Sequence, residues 1–257
     1  MSLYHDISYS CVLEGMTSIS ALIHGREAGL NSRMIYTVLV DADKKRSKYR
    51  EIGYLKAMAD QHNYSIEFVS SQVIDQLTQG TTHGGIIALC SDREYNDCKV
   101  LSTDGFWVMP DGIEDPFNLG YTLRSLYAAG VNGVVFPPQN RLCAAGTVAK
   151  SSAGTSEMLD IRVDDQDVAI DAFVRAGYRI VCAGIRDSVS IYEAYLKKPL
   201  LLIVGGEKRG ISRNILSKAD QIVRIDYGRE FNGSLSAASA TTVIAFEVLH
   251  QNTPDSK

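Results

Sequence analysis

The sequence predicts an α/β protein in which a smaller N-terminal α/β/α unit precedes a larger domain with a mostly parallel sheet. The first observation is the alternation of short β-branched or apolar runs with longer segments of helical periodicity. The second is a polar stretch near residue 100 that separates two such series. Strands that alternate with helices imply crossover connections, which cover a parallel sheet on both faces.

The first series occupies roughly ninety residues, near the small end for an independent domain. Its predicted helices are CVLEGMTSISALIHGREAG, REIGYLKAMADQHNY and SQVIDQLTQG, and its predicted strands are MIYTVLVDAD, SIEFVS and GGIIALCSD. Polar residues from Ser91 to Cys98 and again around Asp104 indicate a linker. We therefore predict domains at residues 1–95 and 105–257, joined by a linker at 96–104.

The second series contains six predicted strands: FWVMPDG, NGVVFP, DIRV, RIVCAGI, LLLIVGG and QIVRIDY. Its predicted helices are NLGYTLRSLYAAG, TVAKSSAGTSEML, DVAIDAFVRAGY, SIYEAYLKK, SRNILSKAD and SLSAASATTVIAFEVLHQ. Ser212 is well placed to cap the fifth of these helices, because serine is favoured at a helix N-cap.

The composition is that of a globular protein, with 45% hydrophobic and 22% charged residues. No run of about 18 apolar residues predicts a membrane span, and MSLYHDISYS lacks the features of a secretory signal, so we expect a cytoplasmic protein. The five cysteines show no CxxC or Cys/His spacing, which favours reduced thiols and no zinc site.

The net charge of −4 argues against a protein that coats nucleic acid nonspecifically, but it allows a local basic patch. KKRSKYR, residues 44–50, places five cations in seven residues. This run is either a solvated loop and helix start or a phosphate-binding surface, with Tyr54 nearby for stacking on a base.

A buried strand runs directly into a glycine-rich loop in LLLIVGGEKRG, and such junctions often bind nucleotides in α/β proteins. The dinucleotide fingerprint GxGxxG is absent, and the P-loop pattern fails because Ile211 and Ala149 replace required residues. No GxSxG motif indicates a serine hydrolase. Glu207 is also an acid where a phosphate would require amides and positive charge.

Two other segments are rich in polar and small residues. Asn118, Gly120 and Arg124 are separately explained as a helix cap, a packing glycine and a solvent-facing cation; together they suit a ribose or a phosphate. NGSLSAASATTVIAFE is either a capped helix with a tightly packed small-residue face or a binding segment.

The order N-x-G-x-x-x-R, G-x-E-x-x-G and S-L-x-x-x-x-A resembles the SpoU family of RNA 2′-O-ribose methyltransferases, of the SPOUT class. KSSAGTSEM and SKADQIVRID are similar to the segments that lie between and after the family's motifs. VLEGMTSISALI and THGGIIALC resemble the substrate-binding domain that many members carry. The resemblance covers nearly the whole chain.

This resemblance implies a homodimeric S-adenosylmethionine enzyme with a C-terminal trefoil knot, acting on structured rRNA or tRNA. It implies that Arg124 contacts the target nucleotide, where we expect it to orient the hydroxyl. The implied catalytic residues are Asn118, Arg124, Glu207, Ser234 and Ser236. The implied cofactor-binding residues are Val204, Gly205, Gly206, Glu207, Gly210, Ile225, Tyr227, Ser234, Leu235 and Ala238. The expected RNA-binding residues are Lys44, Lys45, Arg46, Lys48, Arg50 and Arg124.

Two departures from the family pattern keep alternatives open. Ser236 stands where most members have asparagine, and it cannot offer the paired donor and acceptor of an amide. Lys208 and Arg209 are additions that either face RNA phosphate or are merely exposed. The alternative functions are an RNA-binding factor with lost catalysis and a small-molecule α/β enzyme.

Overall fold

A computed structural model describes residues 11–78, 82–99, 101–138, 144–206 and 210–254. The chain divides into two compact units. The first comprises Met1–Glu94 and Asn140–Met158, and the second comprises Tyr95–Gln139 and Leu159–Lys257. The first unit is therefore built from two separate stretches of the chain.

The first unit is built on a four-stranded mixed sheet in the order β1-β4-β2-β3. The strands are β1 (Val12–Glu14), β2 (Ile35–Asp41), β3 (Ser65–Val69) and β4 (Ile86–Cys90). Strands β2 and β3 are parallel, whereas β4 is antiparallel to both β1 and β2. Helices α1 (Gly15–Glu27), α2 (Tyr49–His62) and α3 (Ser71–Leu77) enclose its hydrophobic core.

The start of the chain corrects one predicted element. CVLE was expected to open the first helix, but Val12–Glu14 forms β1, and α1 begins at Gly15. Gly15 has a φ of 79°, which separates the strand from the helix and which a glycine adopts readily. The apolar pair Val12 and Leu13 is buried against Leu89 and Ala88 of β4, and this sheet pairing overrides the helical pattern.

Asn140–Met158 is part of the first unit, although the chain on both sides of it belongs to the second unit. TVAKSSAGTSEML was predicted as one helix, but it forms α5 (Ala145–Ser151) and a separate 3₁₀ turn at Thr155–Met158. Ala153 and Gly154 break the helix, with φ values of 52° and 84°.

Buried polar contacts hold this segment in the first unit. Asn31 Nδ2 donates to Glu157 Oε2 at 2.7 Å, and Arg33 Nε lies 3.4 Å from the same oxygen. Arg93 donates to the carbonyl oxygen of Ser156 at 2.7 Å, and Arg33, Arg93 and Glu157 are all buried.

The second unit contains a seven-stranded sheet in the order β7-β6-β5-β10-β8-β11-β9, with every pair parallel. Its strands are β5 (Phe106–Pro110), β6 (Gly133–Phe136), β7 (Asp160–Val163), β8 (Arg179–Ala183), β9 (Val189–Ser190), β10 (Leu200–Val204) and β11 (Gln221–Arg224). Its helices are α4 (Pro116–Ala128), α6 (Gln166–Arg175), α7 (Arg213–Leu216) and α8 (Ala237–Asn252). The predicted parallel α/β domain is confirmed.

Central strand β10 positions the core of this unit, and all five of its residues are buried. Leu201 and Ile203 share one cluster with Phe173 of α6, and α8 also contacts β10. The predicted cap of α7 is confirmed, because Ser212 Oγ accepts a hydrogen bond from the backbone N–H of Ile215 at 3.3 Å.

SIYEAYLKK was predicted as a helix, and this prediction is wrong: after β9 the chain forms a single turn and then runs irregularly. The side chains of α8 take the backbone hydrogen bonds that a helix would have made internally. Gln251 accepts from the N–H of Leu196 at 3.0 Å and donates to the carbonyl of Ala194 at 3.1 Å. Asn252 accepts from the N–H of Lys198 at 3.1 Å.

Two further features bear on the sequence predictions. None of the described helices has both the length and the apolar character needed to cross a membrane. Cys11, Cys90, Cys98 and Cys182 are not in disulfide bonds, and burial raises the pKa of Cys90, Cys98 and Cys182 to about 12. The trefoil knot stays a prediction.

Candidate functional site

The site lies at the carboxyl edge of the second sheet, where parallel strands deliver their loops side by side. Val204, the last residue of β10, is the register partner of Pro110, the last residue of β5. The N–H of Asp111 donates to the carbonyl of Val204 at 2.7 Å and extends this pairing by one residue. The loop that leads to α4 and the loop that begins at Gly205 therefore start next to each other.

The start of α4 positions the residues of the first motif. Asp115 is the N-cap, and its carboxylate accepts from the backbone N–H of Asn118 at 2.8 Å, while Pro116 occupies the first turn. Asn118 is therefore not the cap, so that explanation of this residue is wrong. Its side chain is exposed at the first turn, as Arg124 is further along the helix.

Arg124 shares one face of α4 with two large exposed side chains, Phe117 and Tyr121, because helix positions three and four apart are neighbours. Within the described part of the chain, the guanidinium makes no hydrogen bond or ion pair. Asn118 and Arg124 are six residues apart, so they lie about 9 Å apart along the axis and point in different directions.

The glycine-rich loop after β10, here called the glycine turn, is closed by contacts between its two ends. Gly206 and Gly210 form an isolated antiparallel bridge, and the N–H of Gly210 donates to the carbonyl of Gly206 at 2.8 Å. Glu207, Lys208 and Arg209 lie outside the described residues, so the predictions for them stay predictions.

A glycine from another loop packs directly against this turn. A Cβ on Gly206 would lie 2.8 Å from the Cα of Gly112, and a Cβ on Gly205 would overlap the backbone of Gly210. The three glycines let two backbones approach closely and leave main-chain groups at the sheet edge. Sequence reasoning missed Gly112, since nothing in its local context shows that it faces Gly206.

Ser236, from the third motif, caps α8. Its hydroxyl accepts from the backbone N–H of Ser239 at 3.1 Å and lies 3.0 Å from the hydroxyl of that residue. Small residues such as Ala237, Thr241 and Ala245 follow on the buried face of α8, so the predicted cap and packed face are present. The binding role of this segment stays a prediction. Ser234 is exposed, whereas Leu235 and Ala238 are partly buried.

One hydrogen bond brings two predicted cofactor segments together. The hydroxyl of Tyr227, two residues after Ile225, accepts from the backbone N–H of Leu235 at 3.1 Å. Asp226 lies between Ile225 and Tyr227. A hydrogen bond from the hydroxyl of Ser190 lowers the pKa of Asp226, and the guanidinium of Arg224 lowers it further. Helix α8, which follows this segment, packs against α4 and so places the first and third motifs on neighbouring helices.

The basic run of the first unit is partly committed to local contacts. Lys48 Nζ lies 2.9 Å from Glu51 Oε1, and the amino group of Lys45 lies 4.7 Å from the ring centroid of Phe68. Arg50 donates to the hydroxyl of Tyr49 at 2.8 Å. Phe68 and Tyr49 are therefore the exposed aromatic side chains beside the cations.

Tyr54 is only partly exposed, and the stacking role predicted for this residue stays a prediction. Its side chain is partly buried and packs against the hydrophobic core of the first unit, and this burial raises its pKa. Among the described residues, no group of three or more His, Cys, Asp or Glu side chains is placed to hold a metal ion.

Closely packed glycine backbones at the carboxyl ends of two parallel strands define an α/β protein with the kind of loop pair that often binds nucleotides. The family model described as the SpoU rRNA methylase family matches residues 105–246. A second model, RNA 2′-O ribose methyltransferase substrate binding, matches residues 12–96. The chain belongs to the SpoU rRNA methylase family, a family of RNA methyltransferases.

Relatives and solved structures agree with this assignment. A putative TrmH family tRNA/rRNA methyltransferase of Staphylococcus saprophyticus is 30% identical over 88% of this chain and 92% of its own length. The 23S rRNA (guanosine-2′-O-)-methyltransferase RlmB of Shewanella oneidensis is 28% identical over 73% of this chain and 78% of its own. The crystal structure of an AdoMet-bound rRNA methyltransferase from Sinorhizobium meliloti has the same fold, with a TM-score of 0.81 at 19% identity, covering 99% of this chain and 98% of its own.

Proposed function

We propose that this protein transfers a methyl group from S-adenosylmethionine to a ribose 2′-hydroxyl in structured rRNA or tRNA. The observation that carries the proposal is the convergence of the family's motifs. The glycine turn, the Tyr227–Leu235 hydrogen bond and the neighbouring helices α4 and α8 all belong to one unit, and the turn lies next to the loop that leads to α4. The relative from S. oneidensis is named as a guanosine-2′-O-methyltransferase, which supports the ribose as the acceptor.

The described residues fit this cofactor. At Gly205 and Gly206 a side chain would overlap neighbouring backbone, so only a main-chain surface is presented there, and such surfaces suit adenine, ribose and a methionine moiety. We assign to the cofactor the residues predicted from the sequence: Val204, Gly205, Gly206, Glu207, Gly210, Ile225, Tyr227, Ser234, Leu235 and Ala238. When bound, S-adenosylmethionine supplies the methyl group on a positively charged sulfur. A carboxylate such as Glu207 is compatible with that charge.

The chain's own residues would position the ribose for an in-line displacement. The Arg124 guanidinium, with its planar set of donors, would orient the 2′-oxygen and offset the negative charge that develops on it. An arginine stays protonated in proteins, so the hydroxyl proton would leave to solvent or to an RNA phosphate oxygen. Asn118 would hold the substrate from the start of α4. Positioning of this kind contributes up to roughly 7–11 kcal/mol in favourable cases.

The first unit would bind the RNA through its basic run. We assign phosphate contacts to Lys44, Lys45, Arg46, Lys48 and Arg50 of this unit. Unpaired bases would stack on Tyr49 and Phe68, which already lie beside Arg50 and Lys45. We place this activity in the cytoplasm, because its proposed substrates are rRNA and tRNA.

We also propose that the active form is a homodimer joined through α4 and α8. These two helices pack against each other and still expose large apolar side chains: Phe117 and Tyr121 on α4, and Val243 and Phe246 on α8. Exposed apolar side chains on adjacent helices favour burial against a partner surface. Because Arg124 shares the face of Phe117 and Tyr121, its active site would lie beside the second copy.

Binding of the cofactor tests the proposal against its main alternative, an RNA-binding factor without catalysis. That alternative is favoured by Ser236, whose hydroxyl is already engaged in capping α8. We expect S-adenosylmethionine at about 100 times its Kd to raise the melting temperature by roughly 5 °C or more. An unchanged melting temperature with intact RNA binding would favour the inactive factor.

A further inference from the structure

Phe231 is a large apolar side chain exposed between two segments that we assign to the cofactor. It lies in the loop that joins Tyr227 to Ser234, and 59% of its surface is accessible. Its neighbours along the chain are Arg229, Glu230 and Asn232, so the ring is the one large apolar group of a polar stretch.

The ring of Phe231 packs against two nearby residues, Tyr227 and Gly233. It packs edge-to-face on Tyr227, with ring centroids 5.7 Å apart and an interplanar angle of 62°. A Cβ on Gly233 would lie 2.5 Å from the tip of the ring, so only glycine leaves room for this ring position. Tyr227 is itself held by the N–H of Leu235. Phe231 thus presents an aromatic surface that packs on Tyr227 and remains exposed to solvent.

We propose that Phe231 stacks on the base of the target nucleotide whose ribose is methylated. The inference rests on the proposed function, because it requires an RNA acceptor at this sheet edge. Proteins recognise unpaired RNA bases largely by stacking them on aromatic side chains. A base held on Phe231 would fix its attached ribose beside the cofactor segments on both sides of the loop. Such stacking accepts any base, so it serves positioning and favours an unpaired target.

Steady-state kinetics of Phe231→Leu tests the proposal. Leucine keeps an apolar side chain but removes the stacking surface, so the KM for RNA should rise roughly 5- to 100-fold. The Kd for S-adenosylmethionine should stay within twofold, and Phe231→Tyr should restore the KM. Tyr195→Leu is the matched control, because Tyr195 is also 59% exposed in the same unit but contacts Arg179 at the opposite edge of the sheet.

Three outcomes would overturn the proposal. A weaker Kd for S-adenosylmethionine with an unchanged KM for RNA would show that the ring covers the cofactor instead. No change in either constant would show that the ring has no binding role. An equal rise of the KM for RNA in Tyr195→Leu would show that the effect is not specific to Phe231.

A second readout does not depend on turnover. The target nucleotide, once mapped, is replaced by 2-aminopurine in the RNA. Binding of the wild-type protein should quench the fluorescence of this base, and Phe231→Leu should abolish the quenching. Quenching that persists in Phe231→Leu would contradict stacking on this ring. If the wild-type protein binds RNA but transfers no methyl group, the proposed function fails by a separate measurement.

Discussion

At the scale of single residues, the absence of a Cβ shapes the proposed cofactor site as much as any functional group. Gly112 and Gly206 come from loops almost a hundred positions apart in the chain and meet through their main chains. Local sequence patterns identified Gly206, because it follows a buried strand, but they contain no sign of Gly112. Phe231 was missed because local sequence patterns do not show the contacts that its ring makes with Tyr227 and Gly233.

Replacement of Arg124 by lysine tests the orienting role at this scale. Arg124→Lys keeps the positive charge but removes the planar pair of donors, so we expect kcat to fall roughly 10- to 100-fold. The Kd for S-adenosylmethionine should not change. Arg175→Lys, on the exposed surface of α6 in the same unit, is the control and should behave as wild type. Near-normal turnover in Arg124→Lys would refute the orienting role.

At the scale of elements, nine of the eleven described strands were predictable, because each is a short apolar run followed by turn residues. The other two are β1, which was predicted as part of a helix, and β9, which has only two residues. The three revised elements share one physical cause, which is tertiary contact that overrides local pattern. Val12–Glu14 pairs with β4, and the SIYEAYLKK segment takes its hydrogen bonds from α8. The segment around Glu157 breaks into α5 and a 3₁₀ turn as it packs in the first unit.

The buried ion pair of this last segment gives a stability prediction. Glu157→Gln removes the charge that faces Arg33 and leaves a buried guanidinium without its carboxylate, which should lower the free energy of unfolding by about 3 kcal/mol or more. Glu51→Gln, which breaks the half-exposed pair with Lys48, should cost less than about 1 kcal/mol. Urea unfolding of the two variants measures both. Equal losses would show that burial of the Glu157 pair contributes nothing.

At the scale of the whole molecule, the order of the domains and the order of the motifs were predictable from the sequence. The two family models match residues 12–96 and 105–246 in that order. The domain bounds at 1–95 and 105–257 stay a prediction. The sequence did not predict that residues 140–158 belong to the first unit, because they lie inside the segment that matches the methylase family model. Their contacts with Asn31 and Arg33 join positions more than a hundred residues apart, beyond the reach of local patterns.

Mapping of the transferred methyl group tests the central claim most directly. Purified protein would be incubated with total RNA and methyl-labelled S-adenosylmethionine. The RNA would then be digested and the labelled nucleotide identified and mapped. We expect label on the 2′-oxygen of one ribose in rRNA or tRNA, and roughly 10- to 100-fold slower labelling of that ribose by Arg124→Lys. Label on a base, or no label although the cofactor binds, would contradict the proposed ribose methylation.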